Sequence, residues 1–253
     1  MSGFPMPMPE LALALVGLRE PASVRAKIEL ARTLGFRAIA LDATDRESRP
    51  RELGRSARRD LASLIRRAEL RCVGIDAFIP PAHFVDAAHA DRAAEAVMHA
   101  CDFAADLASL TDGEAIVSTL LPPGFAGRRT LAAHAAGFGV RLADHHAPPD
   151  EHAGETSNEP DVGLDPATVM LAGGDVEETL ASNADRIASA RLSDLDSSGR
   201  TEPGTGRLDL LAYAVSLGTS GYDGPVVLDL RQLEDQPGVV RRVLQRLSEI
   251  APK

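Results

Sequence analysis

The feature that most constrains this chain is a short apolar run followed by a helical segment, repeated from one end to the other. "LALALVGL" (11–18) opens the series. In "SVRAKIELARTLGF", which follows, Ser23 can cap a helix, Val24, Ile28 and Ala31 form its apolar stripe, and Gly35 stops it. "RAIALDA", "RCVGIDAFIP", "EAIVSTLLPP", "GVRLADHH", "DVGLDP", "DRIASARLSDLD" and "GPVVLDLR" are further strand candidates, each ending in polar or turn residues. "RELGRSARRDLASLIRRAEL" between the second and third reads as one long amphipathic helix. Short strands alternating with helices are the mark of parallel βα units. With 253 residues, close to the ~250 that such a fold takes, the series predicts an α/β protein, a single (β/α)8 TIM-type barrel. An open doubly wound sheet is disfavoured because no Gly-rich phosphate turn follows the first strand. The expected domain is 1–253, with 1–10 as an extended N-terminal segment. "APPDEHAGETSNEP" (147–160) is too rich in Pro, Gly and acids for a regular helix, so a polar loop is expected in place of the fifth helix. Strands five and six would then lack cover, which either neighbouring helices leaning inward or a second subunit would supply; the favoured expectation is a homodimer with that region at or beside the contact.

Composition narrows the function classes. A net charge of -10 argues against nucleic acid, whose phosphates need clustered Lys and Arg. No apolar run approaches the ~18 residues that cross a membrane, and "MSGFPMPMPE" lacks the basic start of a secretion signal, so the expected location is cytoplasmic. Cys72 and Cys101 sit in apolar and helical runs and read as small core residues. Trp is absent and aromatics make up 4%, which disfavours sugar binding by ring stacking.

A barrel of this kind places its chemistry at the C-terminal ends of the strands. Here those ends carry Asp42, Asp76, Asp144, His145, His146, Asp165, Arg191, Asp194, Asp229 and Arg231. Any one carboxylate after a strand reads as a helix cap, and Asp165 before Pro166 is a good example. Their repetition carries more: acids ending strands five, six and eight converge on one mouth, and such a cluster needs a cation. His83 could line the same mouth, and Arg46, Arg49 and Arg51 form a basic loop after strand two.

"ADHH", "LDPAT", "ARLSDLD", "PGTGRLDL" and "SGYDGPVVLDLR" together resemble the sugar phosphate isomerase/epimerase group of the xylose isomerase-like TIM barrel superfamily. The resemblance implies a Mn2+, Co2+ or Mg2+ centre held by Glu, Asp, His and Glu, at the positions of Asp144, Asp165, Arg191 and Asp229. Only Asp165 matches. Asp for Glu draws two carboxylates back, and a guanidinium has no lone pair to give a metal. Thr168 and Thr205 replace a second His and a loop Glu. The favoured expectation is a site without cofactor, Arg191 forking onto Asp144, Asp165 or Asp229. The alternative is a divalent metal on Asp144, Asp165 and Asp229, helped by His145 or His146.

The implied activity is isomerisation or epimerisation of a small polyhydroxy carbonyl compound. Asp144 and Asp229 would be the acid/base pair and Arg191 the group that polarises the carbonyl. Asp42, Asp76, His83, His146, Asp165 and Arg231 would contact the sugar-like ligand. The competing expectation is a degenerate barrel of the same family with a binding or assembly role. An endonuclease IV-like repair enzyme is disfavoured, for its many metal ligands and basic surface are missing.

Overall fold

The computed structural model describes residues 9–146 and 159–250. Eight parallel strands close into a barrel: β1 (Leu11–Ala14), β2 (Ala38–Asp42), β3 (Arg71–Ala77), β4 (Ile116–Thr119), β5 (Arg141–Asp144), β6 (Asp161–Leu164), β7 (Ile187–Leu192) and β10 (Val226–Leu228). Neighbours follow chain order, and β10 closes the ring between β7 and β1. Period two explains the layering. On β1, Leu13 joins the large apolar cluster shared with the surrounding helices, and the partly buried Leu11 packs against it. Ala12 and Ala14 face the other way, into a small cluster with Ala38, Ala40, Val73 and Val227. That inner layer is built of small side chains, which leaves room inside the ring for the long buried side chain of Arg191.

Outside the strands lie α1 (Val24–Thr33), α2 (Arg55–Arg67), α3 (Ala82–Val85), α4 (Ala90–Thr111), α5 (Arg128–Gly137), α6 (Pro166–Leu171), α7 (Val176–Ser182), α8 (Leu210–Thr219) and α9 (Gln236–Ile250). Ser23, Asp165, Asp175 and Asp209 each accept a backbone N–H at a helix start, as their residue types favour. Cys72 and Cys101 are free and buried.

Two expected elements are corrected. The long second helix is divided: Pro50–Glu52 form a 3-10 turn, and α2 starts only after Gly54. The seventh strand ends at Leu192. Asp194–Asp196 leave the barrel as β8 and pair antiparallel with β9 (Gly199–Thr201), a hairpin that the apolar alternation of "ARLSDLD" disguised. The expected loop in place of the fifth helix and the dimer contact beside it fall on 147–158, outside the described residues, as does most of the N-terminal segment. Among the described residues no helix is long and apolar enough to cross a membrane.

Candidate functional site

Three aspartates and three arginines meet at the C-terminal end of the barrel. Asp76, next to last on β3, and Arg191, next to last on β7, stand on opposite sides of the ring. Their side chains meet across it as a two-pronged pair, with Arg191 Nη1 donating to Asp76 Oδ2 at 3.2 Å and Nη2 to Oδ1. Both are fully buried. Tyr213 of α8 fixes the end of β7 by donating to the Arg191 carbonyl at 2.8 Å.

Asp165, after β6, caps α6 and also accepts from Ser193 Oγ at 2.6 Å. Its other oxygen takes Arg200, from β9, and Arg231 Nη2 at 3.1 Å. Asp229, after β10, is gripped by Arg231 through Nε at 2.9 Å and Nη2 at 2.6 Å, with Arg200 Nη1 at 3.6 Å. The Arg231 guanidinium lies 4.1 Å and that of Arg191 5.0 Å from the centre of the Phe78 ring, within cation–π range. Gly17 makes the approach of Arg231 possible: its φ is +78°, and a Cβ there would sit 2.7 Å from Arg231 Cγ.

Charge balance sets the protonation states. Burial works to raise the Asp229 carboxyl, but Arg231 and Arg200 overcome it and hold the group well below the usual carboxylate range. Asp165 is lowered in the same way: burial opposes, and Arg200 and Arg231 prevail over the repulsion of Asp229. For Asp76 burial wins, and its carboxyl is raised despite Arg191. His145 is 1% exposed. Burial, then Arg191, pushes its imidazole well below 6.5, so it is neutral. Its Nε2 shares a 3.1 Å hydrogen bond with Ser118 Oγ, and its ring meets Phe78 edge-on. A Cβ at position 163 would come within 2.2 Å of that ring, which is why β6 carries a glycine there.

The structure therefore gathers Asp76, Asp165, Arg191, Asp229 and Arg231 and sets four expected residues aside. Asp144, expected as half of the acid/base pair, spends its carboxylate on the Leu121 and His146 amides, each at 3.0 Å, and on Arg128 at 2.7 Å. Asp42 closes a tight turn by accepting from Thr44 N and Oγ1. His83 stacks on His89 beside α4, away from the aspartates. His146 contributes its backbone amide to Asp144. The fork of Arg191 also goes to Asp76, not to Asp144, Asp165 or Asp229, because β3 is the strand facing β7. The sequence reading missed Arg200 and Phe78. Phe78 was detectable, standing two residues after Asp76 and so on the same face; Arg200 arrives on a hairpin that ends no barrel strand.

No family model matches the sequence, and no curated protein matches it. Solved structures do match in shape. A xylose isomerase domain protein from Planctomyces limnophilus superposes with a TM-score of 0.72 over 96% of this chain and 98% of its own, at 16% identity. This chain has the xylose isomerase-like TIM barrel fold. The IolI protein, described with a bound zinc atom, aligns with a TM-score of 0.71 at 15% identity, covering 96% of this chain and 98% of its own. A D-tagatose 3-epimerase-like protein does so at 0.70 and 14%, with the same two coverages.

The residues of this xylose isomerase-like barrel do not fit the metal that the resemblance implies. A divalent ion needs carboxylate or imidazole lone pairs. Those of Asp165 and Asp229 are taken by arginines, Asp144 stands elsewhere, and Arg191 has none to offer. Among the described residues no three His, Cys, Asp or Glu side chains are placed to hold an ion.

Proposed function

We propose that this chain is a barrel of the xylose isomerase-like kind that has given up metal-centred proton exchange and binds a small polar molecule at its mouth through arginine. One observation carries the reading: the guanidiniums of Arg200 and Arg231 fill the place between Asp165 and Asp229 where a cation is needed. An acid/base pair that moves a proton to and from carbon works best with at least one group poised near the operating pH. Asp229 and Asp165 are both held ionised by their arginines, Asp144 is bound up with Arg128, and Asp76, whose carboxyl burial raises, is fully buried in the fork of Arg191. What the mouth can offer is donors. The side chains of Arg200 and Arg231 keep 14% and 18% of their surface open, and Arg231 Nη1 has no hydrogen-bond partner among the described residues. A ligand rich in acceptors, a carbonyl or carboxylate beside hydroxyls, suits them.

The second reading is a keto-sugar isomerase or epimerase that works without metal. It is favoured by the likeness to the D-tagatose 3-epimerase-like protein and by arginines that could stabilise an enediolate oxygen. One experiment separates the two. The protein is incubated in D2O with a panel of ketoses, with and without added Mn2+, and carbon-bound deuterium is followed by NMR. The binding reading expects no incorporation under either condition. Incorporation without metal, lost in Asp229→Asn, establishes the enzyme reading instead.

A further inference from the structure

A separate, basic cleft lies outside the ring, against the turn after β2 and the side of α4. It is a cavity of about 360 Å3 between the turn after β2, the segment after β3 and the side of α4, a size ordinary for a small-molecule site. Ala77 and Ile79 line it, whereas Asp76 and Phe78, on the alternate positions, turn into the barrel mouth. The two sites are therefore separated by the wall of β3. The polar lining of this cleft is basic: Arg49, Arg51, Arg92, His83, His89 and His99 surround it, and no Asp or Glu is among its lining residues. In a protein of net charge -10, a concave surface with only basic charges is contrary to the average surface.

The groups come from three directions. Arg49 and Arg51 belong to the loop and 3-10 turn after β2. Arg92 and His99 lie on one face of α4, with Ala96 between them at helical spacing. His83 and His89 stack with ring centres 5.2 Å apart. Part of this charge is neutralised locally and part is not. Arg49 and Arg51 share Glu52, at 3.9 and 3.3 Å; Arg49 also feels the Asp45 carboxylate and donates to the Thr44 carbonyl at 2.9 Å. His89 is hydrogen-bonded to Asp86. Arg92 and His99 make no hydrogen bond or ion pair among the described residues.

We infer that this cleft binds the phosphate group of a small phosphate monoester, with the carbon body of the ligand against the apolar floor. A carboxylate is satisfied by one guanidinium fork. Three guanidiniums from two elements, Arg49 and Arg51 from the turn after β2 and Arg92 from α4, with imidazoles beside them, match a tetrahedral dianion that presents oxygens in several directions. Ala43, Pro50, Ala77 and Ile79 supply the floor. The inference does not depend on what the mouth does.

The test is isothermal titration of the full chain at low ionic strength with glycerol 3-phosphate, glycerate and glycerol. Glycerol 3-phosphate is expected to bind, glycerate to bind at least about tenfold more weakly, and glycerol not at all. Arg92→Ala is expected to weaken glycerol 3-phosphate binding about tenfold with an unchanged melting curve. Arg241→Ala, an exposed arginine on α9, should leave binding as it was. Unchanged affinity in Arg92→Ala overturns the inference, and equal loss in Arg241→Ala reduces it to unspecific attraction. Glycerate binding as tightly as glycerol 3-phosphate overturns the assignment to phosphate.

Discussion

At the scale of single residues, the Arg191–Asp76 pair has the largest energetic consequence. Both groups are fully buried and each is the other's main counter-charge. Breaking such a pair from one side costs about 3–5 kcal/mol, whereas replacing both partners by apolar groups of similar volume is often close to neutral. Arg191→Met should therefore lower the unfolding free energy by about that amount. The double replacement Asp76→Leu with Arg191→Met should lose clearly less. Urea unfolding of the three proteins checks this, and a double variant at least as unstable as the single one would show that the pair does more than balance charge.

His145 gives a pH dependence of known sign. Its imidazole is depressed in the fold, so below 6.5 the unfolded chain takes up a proton that the folded one refuses. The contribution of His145 is fully present above 6.5 and declines as pH falls toward the folded value. Stability should drop between pH 7.5 and 5.5, and His145→Gln should remove about 1 kcal/mol of that drop. Urea midpoints at the two pH values, compared between the proteins, measure it. An identical drop in both would mean that other groups set the slope.

At the scale of elements, the β8–β9 hairpin is what the barrel adds to its eight strands. Asp194 holds it. One carboxylate oxygen accepts the amides of Leu195, Arg207 and Leu208, and the other those of Gly204 and Gly206, all within 2.7–2.9 Å. Asn offers a single acceptor oxygen, so Asp194→Asn must leave some of these donors unmet. The expected outcome is faster hydrogen exchange over 194–208 with the barrel strands still protected, read by mass spectrometry. Exchange that rises evenly over the whole chain would instead make Asp194 a determinant of global stability.

The same hairpin marks where the sequence ceased to be legible. The barrel strands could be read because apolar alternation states both their place and which side chains share a face. Asp76, Asp165, Arg191 and Asp229 followed from that rule. The misreading of Asp144 has another cause: its fate is decided by Arg128 at the start of α5 and by two backbone amides, contacts that no spacing within β5 encodes. Arg200 was invisible for a similar reason. It reaches Asp165 and Asp229 from a detour whose short strands look like the tail of β7.

At the scale of the whole molecule, the mouth is neutral within itself, three carboxylates against three guanidiniums. A barrel whose carboxylates depended on a divalent ion would lose stability when the ion was removed. Here the melting temperature is expected to stay the same, within error, after exhaustive dialysis against EDTA and after addition of Zn2+ or Mn2+. A rise with either ion, abolished by Asp165→Ala, would mean that the arginines yield their place.

The route by which Arg200 arrives has a consequence for how this site responds to its surroundings. A dissolved ion occupies a centre according to its free concentration, so cells can load or empty such a site by supply. Arg200 is attached by a few residues of chain to the strand beside the site, and its local concentration is fixed by that tether. Dilution, starvation for metal or competition from other proteins leaves the balance of charge untouched. Only movement of the hairpin changes it, which turns a question of supply into one of chain conformation.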